Sequence, residues 1–404
     1  VTRPVARQAV DRIVEWDFDH STDEGLLERM WHRWDELRDQ SRFIKTTVAG
    51  PDDVWVMTRF EDVHAALRDH ELFSNVSVTV ENEVGAHRFI PEELDPPEHG
   101  KYRQLLTPWF APAAVDAMEA RVRSWCVELI ERFAADGRCD VATDFARLFP
   151  TTIFMEMMGL PVERSAEMVR WAETMMHTRA ADDPDGTLRQ EAVAGVMEIL
   201  GGLLAERRAE PRDDLISALI AAEIDGQPMD ELDLLQMSIL LYMAGLDTVA
   251  GELSAFFHHL ATHPADRRRI VADPAVIPVA VEELLRAYSI VSTGRVVTRD
   301  VDWRGCPMRA GDRVLLPTGA ANRDPLAFPD ATEVAIDRAR NRHVAFGAGP
   351  HRCAGSNLAR MELAIALEEW HARIPDYRLD TAEPLRFHSG GVAGFSRLPL
   401  VWET

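Results

Sequence analysis

The chain has 404 residues, 46% hydrophobic and 27% charged, a composition that excludes a disordered polymer and allows a large core. Forty-four Lys and Arg against 67 Asp and Glu leave a net charge of −23, which argues against general binding to nucleic acid or to an anionic membrane. Four cysteines with no C-x-x-C pair make no disulfide framework and suit a reducing, cytoplasmic setting.

The first segment, VTRPVARQAV, lacks an apolar h-region, so no signal peptide is expected. Val54–Thr58 reads as a strand. Apolar residues at three- and four-residue spacing predict a helix over Ala113–Ala135 and another over Leu188–Arg208. The polar run Ala181–Gly186 connects helices and is not a domain boundary. A long helix is predicted over Glu231–His263, with Asp230 as its N-cap. It holds the longest apolar stretch, Met237–Phe257. Asp247 and Glu252 interrupt that stretch, so a buried core helix is expected and not a bilayer span.

A further helix is predicted over Pro274–Tyr288. Strands are expected at Val301–Arg304 and Val314–Pro317, beside turn residues Gly305, Pro307 and Gly311. Leu358–Trp370 is helical in pattern, and the tail His388–Trp402 reads as one short hairpin. Strands come in small groups without regular strand–helix alternation, which argues against a doubly wound parallel sheet. The expectation is one domain over 1–404, mainly α with small β-sheets.

Three clusters carry chemistry. In Phe346-Gly-Ala-Gly-Pro-His-Arg-Cys353-Ala-Gly355, glycines crowd one side of a cysteine that a helix follows. Glycine permits the close backbone approach that a flat macrocycle needs. A thiolate at a helix start is favoured by the positive helix end, and it is a strong iron ligand. Cys126, Cys139 and Cys306 lie in ordinary helical or turn contexts and are expected to be structural. In Ala244-Gly-Leu-Asp247-Thr248, an acid, a hydroxyl and a glycine interrupt an apolar helix. Each is mildly unfavourable there, which points to a kinked or widened site. Glu283 and Arg286 are three residues apart, on one helix face.

These motifs resemble the cytochrome P450 family. Phe346, Gly347, Gly349, His351, Cys353 and Gly355 match every specified position of its cysteine loop, F-G-x-G-x-H-x-C-x-G. The resemblance runs from about residue 50 onward and is nearest to the soluble bacterial camphor-hydroxylase branch. It implies the fold of that family, a helical haem-binding core with a small β region, and haem b held by Cys353. His99, Arg103 and Arg295 would contact the propionates, and His351 would add a donor or positive charge for them. Asp247 would relay protons and Thr248 would hydrogen-bond dioxygen or its water. Glu283, Arg286 and a later arginine, Arg338, would form a structural triad.

By the same position matching, His87 replaces a tyrosine that hydrogen-bonds a ketone in that branch. Leu240, Met243, Ala244, Val291, Thr293, Val392 and Ala393 would line the rest of the substrate pocket. An apolar pocket with one or two polar anchors suits a small terpenoid or norisoprenoid ketone. The sequence shows no flavin or nicotinamide fingerprint. Electrons would therefore come from a 2Fe–2S ferredoxin with an NAD(P)H-dependent reductase, docking on Arg103, Arg340, Arg342 and Arg352. Two rivals remain open: a haem-binding sensor or carrier without turnover, and a cysteine-nucleophile hydrolase using Cys353.

Overall fold

The computed structural model describes residues 13–47, 53–81, 84, 88–178 and 182–404. Helices dominate and the sheets are small. The expected helices appear as Pro112–Glu131, Thr187–Ala209 and Ile277–Ala287, the last preceded by a short 3₁₀ turn, Pro274–Val276. Asp230 does cap the long helix, accepting a hydrogen bond from the Leu232 amide at 2.9 Å. Glu231 and Asp233 add negative charge in its first turn, where the helix dipole favours it.

That long helix departs from its expected continuity. It is two segments, Glu231–Leu246 and Thr248–Thr262, broken at Asp247. The run as a whole is long and apolar enough to cross a membrane, yet both segments contribute to the large core. Phe256 and Phe257, fully buried, lie in the second segment, and the Phe257 ring sits 4.5 Å from that of Trp370. Trp370 belongs to the helix Ser356–Arg373, which follows the Cys353 loop. The core therefore ties the broken helix to the element that supports the cysteine.

A six-stranded sheet runs in the order Ile13–Glu15, Phe43–Thr46, Val54–Met57, Arg313–Pro317, Ser292–Val297, Phe73–Ser74. Arg313–Pro317 pairs parallel with Val54–Met57 and antiparallel with Ser292–Val297. This pairing seats Arg295 in the sheet interior beside Val314. Val301–Trp303 pairs with Cys306–Met308 as a separate hairpin. The tail is not one hairpin. Arg386–His388 pairs with Gly394–Arg397, while Pro399–Val401 joins Arg378–Leu379 and Arg138–Asp140 in a different sheet. Leu398 is fully buried between the two, which fixes the chain where it changes sheets.

Cys126, Cys139 and Cys306 are buried, and burial pushes each thiol well up, as inert structural cysteines require.

Candidate functional site

Cys353 sits in a tight loop. Its amide donates to the Phe346 carbonyl at 2.9 Å, and the Gly347 amide donates to Val344 at 2.9 Å. Gly347 and Gly349 adopt φ of 68° and 72°, the left-handed region that side chains resist. A Cβ on Gly349 would also lie 2.8 Å from the Leu67 carbonyl oxygen, so the loop packs backbone to backbone there.

Cys353 does not begin the following helix, as the sequence pattern suggested. The helix starts at Ser356. Its sulfur is the only accessible one among the four cysteines. Surrounding protein pushes the thiol up. A hydrogen bond from the Gly355 amide and the nearby Arg103 pull it down, but they do not outweigh that burial. The helix end alone therefore does not supply a thiolate. A coordinated metal cation would, because it deprotonates the thiol on binding.

A shell of polar contacts holds this loop from behind. Glu283 and Arg286 are both fully buried and form two 2.8 Å bonds with each other. Arg338 and Asn341 also donate to Glu283, at 2.9 and 3.0 Å. The remaining Arg286 N–H groups go to the carbonyls of Asn322, Ala331 and Glu333. All five guanidinium donors are thus used. The neighbouring Glu282 binds His343 at 3.1 Å and Arg360, whose guanidinium lies over the Phe346 ring at 4.4 Å. Burial opposes the Glu282 charge, yet His343 and Arg360 bring its carboxyl down to about 2.

Cations gather on the cysteine's other side. The His99 and His351 rings are 4.2 Å apart. Arg103 donates to the Arg352 carbonyl at 2.5 Å. Arg295 is 3% exposed, and its Nε has no partner among the described residues. Burial brings Arg295 down to about 10, with Glu92 and Asp95 opposing. His351 Nε2 is likewise buried and unpartnered, and burial together with His99, Arg295 and Arg103 depresses it to about 2. Orphaned donors of this kind need an anion. A cysteine sulfur in a glycine-lined loop, with orphaned Arg295 and His351 donors close by, fits an iron porphyrin with two propionates.

On the long helix, Gly245 meets the Phe154 ring so closely that a Cβ there would lie 2.2 Å from it. Asp247 occupies the break, with φ −108° and ψ −39°. Its carboxylate lies 3.0 Å from His177 Nε2. The His388 ring lies 4.0 Å from that of His177. Burial opposes charge on Asp247, but His177 outweighs it and the carboxyl is lowered. The same pairing raises His177 against its own burial. Thr248 Oγ1 donates back to the Ala244 carbonyl at 3.3 Å, which leaves its oxygen lone pairs available. One turn on, Glu252 is buried, and that burial pushes its carboxyl well up.

Leu240, Met243 and Ala244 lie on this helix, half-buried or exposed. Val291 and Val392 are bridged, and Thr293 Oγ1 accepts from Arg295 at 3.1 Å. Ala393 is fully buried, its carbonyl oxygen 2.7 Å from where a Gly251 Cβ would stand. His87 lies outside the described residues.

Sequence reasoning did not single out Glu282, Arg360, His177, His388 or Glu92. Only Glu282 had a signal, its place beside Glu283. His177 is 70 residues from Asp247, and no spacing rule joins them.

The comparisons agree with this geometry. The family profile described as Cytochrome P450 matches residues 26–273 and 275–370. The "Probable cytochrome P450 127A1" of Sinorhizobium fredii is 37% identical over 350 residues, covering 86% of this chain and 83% of that one. The "Mycinamicin IV hydroxylase/epoxidase" of Micromonospora griseorubida is 35% identical, covering 92% of this chain and 95% of its own. Among solved structures, CYP101J2 superposes with a TM-score of 0.85 at 34% identity, covering both chains fully. CYP101C1 gives 0.87 at 31% identity, over 98% of this chain and 99% of its own.

Proposed function

The chain belongs to the cytochrome P450 family, as a bacterial-type haem monooxygenase, and we propose that its substrate is a small terpenoid or norisoprenoid ketone hydroxylated at a C–H bond. The observation that carries the monooxygenase site is Cys353: an accessible sulfur in a loop set by two left-handed glycines, with unpartnered Arg295 and His351 donors nearby.

Haem b supplies reductive activation of dioxygen when bound. The residues of this chain do the rest. Cys353 donates its sulfur to the iron. Arg295, His351, His99 and Arg103 hold the propionates by charge-assisted bonds. The Asp247 carboxylate, paired with His177, takes up a proton from that side and passes it toward the Thr248 hydroxyl. Thr248 accepts from a water in the helix groove, or turns its hydroxyl to donate to dioxygen there. General acid assistance of this kind contributes typically about 10²–10⁴-fold.

The substrate reading is supported by the apolar side chains of Leu240, Met243, Val291 and Val392, with Thr293 as a polar anchor; the sequence position of His87 suggests a second. Type I spectral titration with a panel of terpenoid ketones tests it. Binding and product formation are expected. Failure of every ketone while macrolides or fatty acids bind overturns it.

The electron donor is a 2Fe–2S ferredoxin, fed by an NAD(P)H-dependent reductase. Arg342 and Arg352 line a hollow of about 360 Å³ together with Arg68, His64 and His343. Arg340, Arg342 and Arg352 are exposed on a chain whose net charge is −23, so a local basic face meets an acidic partner. Association that falls with salt, and falls further in Arg342→Glu, is the expected result. The protein would then act in the cytoplasm. A reduced carbon monoxide difference spectrum, lost in Cys353→Ala, separates this reading from a hydrolase. Substrate-dependent NADH consumption separates it from a sensor.

A further inference from the structure

Three elements far apart in sequence converge on one point. His177 ends the helix Ser165–His177, Asp247 breaks the long helix, and His388 ends the strand Arg386–His388. One ligand-capable atom from each lies within 4.8 Å of the other two. His177 and Asp247 already satisfy each other at 3.0 Å. His388 is different. Its Nε2 is buried with no hydrogen-bond partner among the described residues. Its ring is tilted 39° against that of His177 and not laid flat on it. A nitrogen from each ring can then turn toward the Asp247 carboxylate.

We propose that His177, Asp247 and His388 form a binding site for a borderline-soft transition-metal dication of the zinc class, separate from the iron site.

Two imidazoles and one carboxylate are a donor set for zinc, with a fourth position left to water. Zinc–ligand bonds of about 2.0–2.2 Å put tetrahedral ligand atoms roughly 3.3 Å from one another. The His177–Asp247 pair is near that spacing at 3.0 Å, and a His388 ring nitrogen lies within 4.8 Å of both. The ligands together carry one negative charge. Arg147, whose charge acts on all three side chains, is paired with Glu173 at 2.7 Å, so it does not repel a dication strongly. Ligation would also give the His388 ring a partner beyond those the described residues offer.

Metal at this point occupies the Asp247 carboxylate and takes it from proton delivery. That consequence rests on the role given to Asp247 above; binding itself does not.

The test is titration of the haem-loaded protein with Zn²⁺, read by calorimetry and by metal content after dialysis. One Zn²⁺ per chain is expected. Affinity should fall by at least the roughly 10–100-fold that loss of even an outer partner of a metal ligand costs, in His388→Ala and again in His388→Gln. His32→Ala, at an exposed histidine, should bind as the parent does. An anomalous peak at the zinc edge should lie between the three side chains. Unchanged affinity in both His388 variants, with intact haem spectra, overturns the site, as does an absence of binding in the parent. Binding at this point without slower turnover leaves the site standing and removes Asp247 from proton delivery.

Discussion

The two sides of the proposed haem site are built on opposite principles. Behind Cys353, the buried charges are answered: Glu283 takes bonds from Arg286, Arg338, Asn341 and the Ala335 amide, and Arg286 uses all its donors. At Asp247 the helix is broken, a histidine nitrogen is orphaned and a buried glutamic acid has an unpartnered oxygen. The first side fixes a sulfur in one place. The second keeps polar groups available to protons and ligands. Rigidity serves coordination, and unsatisfied polarity serves chemistry.

The sharpest way to break this contrast is to unpair the rigid side. Glu283→Ala leaves Arg286 charged and fully buried, and removal of one partner from such a pair costs about 3–5 kcal/mol. Domains have only about 5–15 kcal/mol in total. Urea denaturation should show a lower midpoint, and the yield of pigmented protein should collapse. A midpoint within experimental scatter of the parent would mean that the shell does not hold the loop.

The same test on the other side should leave the fold alone. Asp247→Asn keeps the shape but removes the carboxylate that can take up and pass on a proton. Turnover should drop by about 10²–10⁴-fold, while the carbon monoxide spectrum and the urea midpoint stay near the parent's. If stability fell instead and turnover held, the two sides would not differ in purpose.

This contrast also explains what could be read from the chain. The cysteine loop and the Glu283–Arg286 pair are legible because their partners are close in sequence or bound to a fixed pattern. The helix break at Asp247 was half legible: Gly245, Asp247 and Thr248 argued for a kink, but an apolar pattern on both sides argued for one continuous helix. Phe154, which presses on Gly245 from another helix, is a tertiary contact that the pattern could not show. His177 and His388 were not legible at all, because only tertiary packing brings them to Asp247. The tail was misread as one hairpin because Gly390, Gly391 and Gly394 mark turns without saying which sheet the next strand joins. Leu398, buried between two sheets, decided that.

Acid should loosen the rigid side first. The Glu282 carboxyl is held down to about 2 by His343 and Arg360, against its burial. A depressed carboxyl contributes stability that is present above its unfolded value, near 4.3, and is lost as pH falls toward the folded value. Between about pH 4.5 and 2 the parent should therefore lose stability more steeply than Glu282→Gln, which carries no such proton linkage. Equal slopes in the two proteins would show that Glu282 does not support the loop through its charge.

The smallest expected effect probes the seam between the two sides. Alanine is a better helix former than glycine by about 1 kcal/mol, so Gly245→Ala should stabilise the helix if only local preference mattered. The new Cβ would stand 2.2 Å from the Phe154 ring. Phe154 is buried in the helix Leu148–Met158 and has little room to retreat. Overpacking of this kind costs about 1–3 kcal/mol, which outweighs the helical gain. The expected result is a small net loss in melting temperature, together with a shift in substrate affinity, because Ala244 sits next to the displaced turn. A gain in melting temperature would mean that Phe154 moves freely and that the helix break at Asp247 is not held in place by this contact.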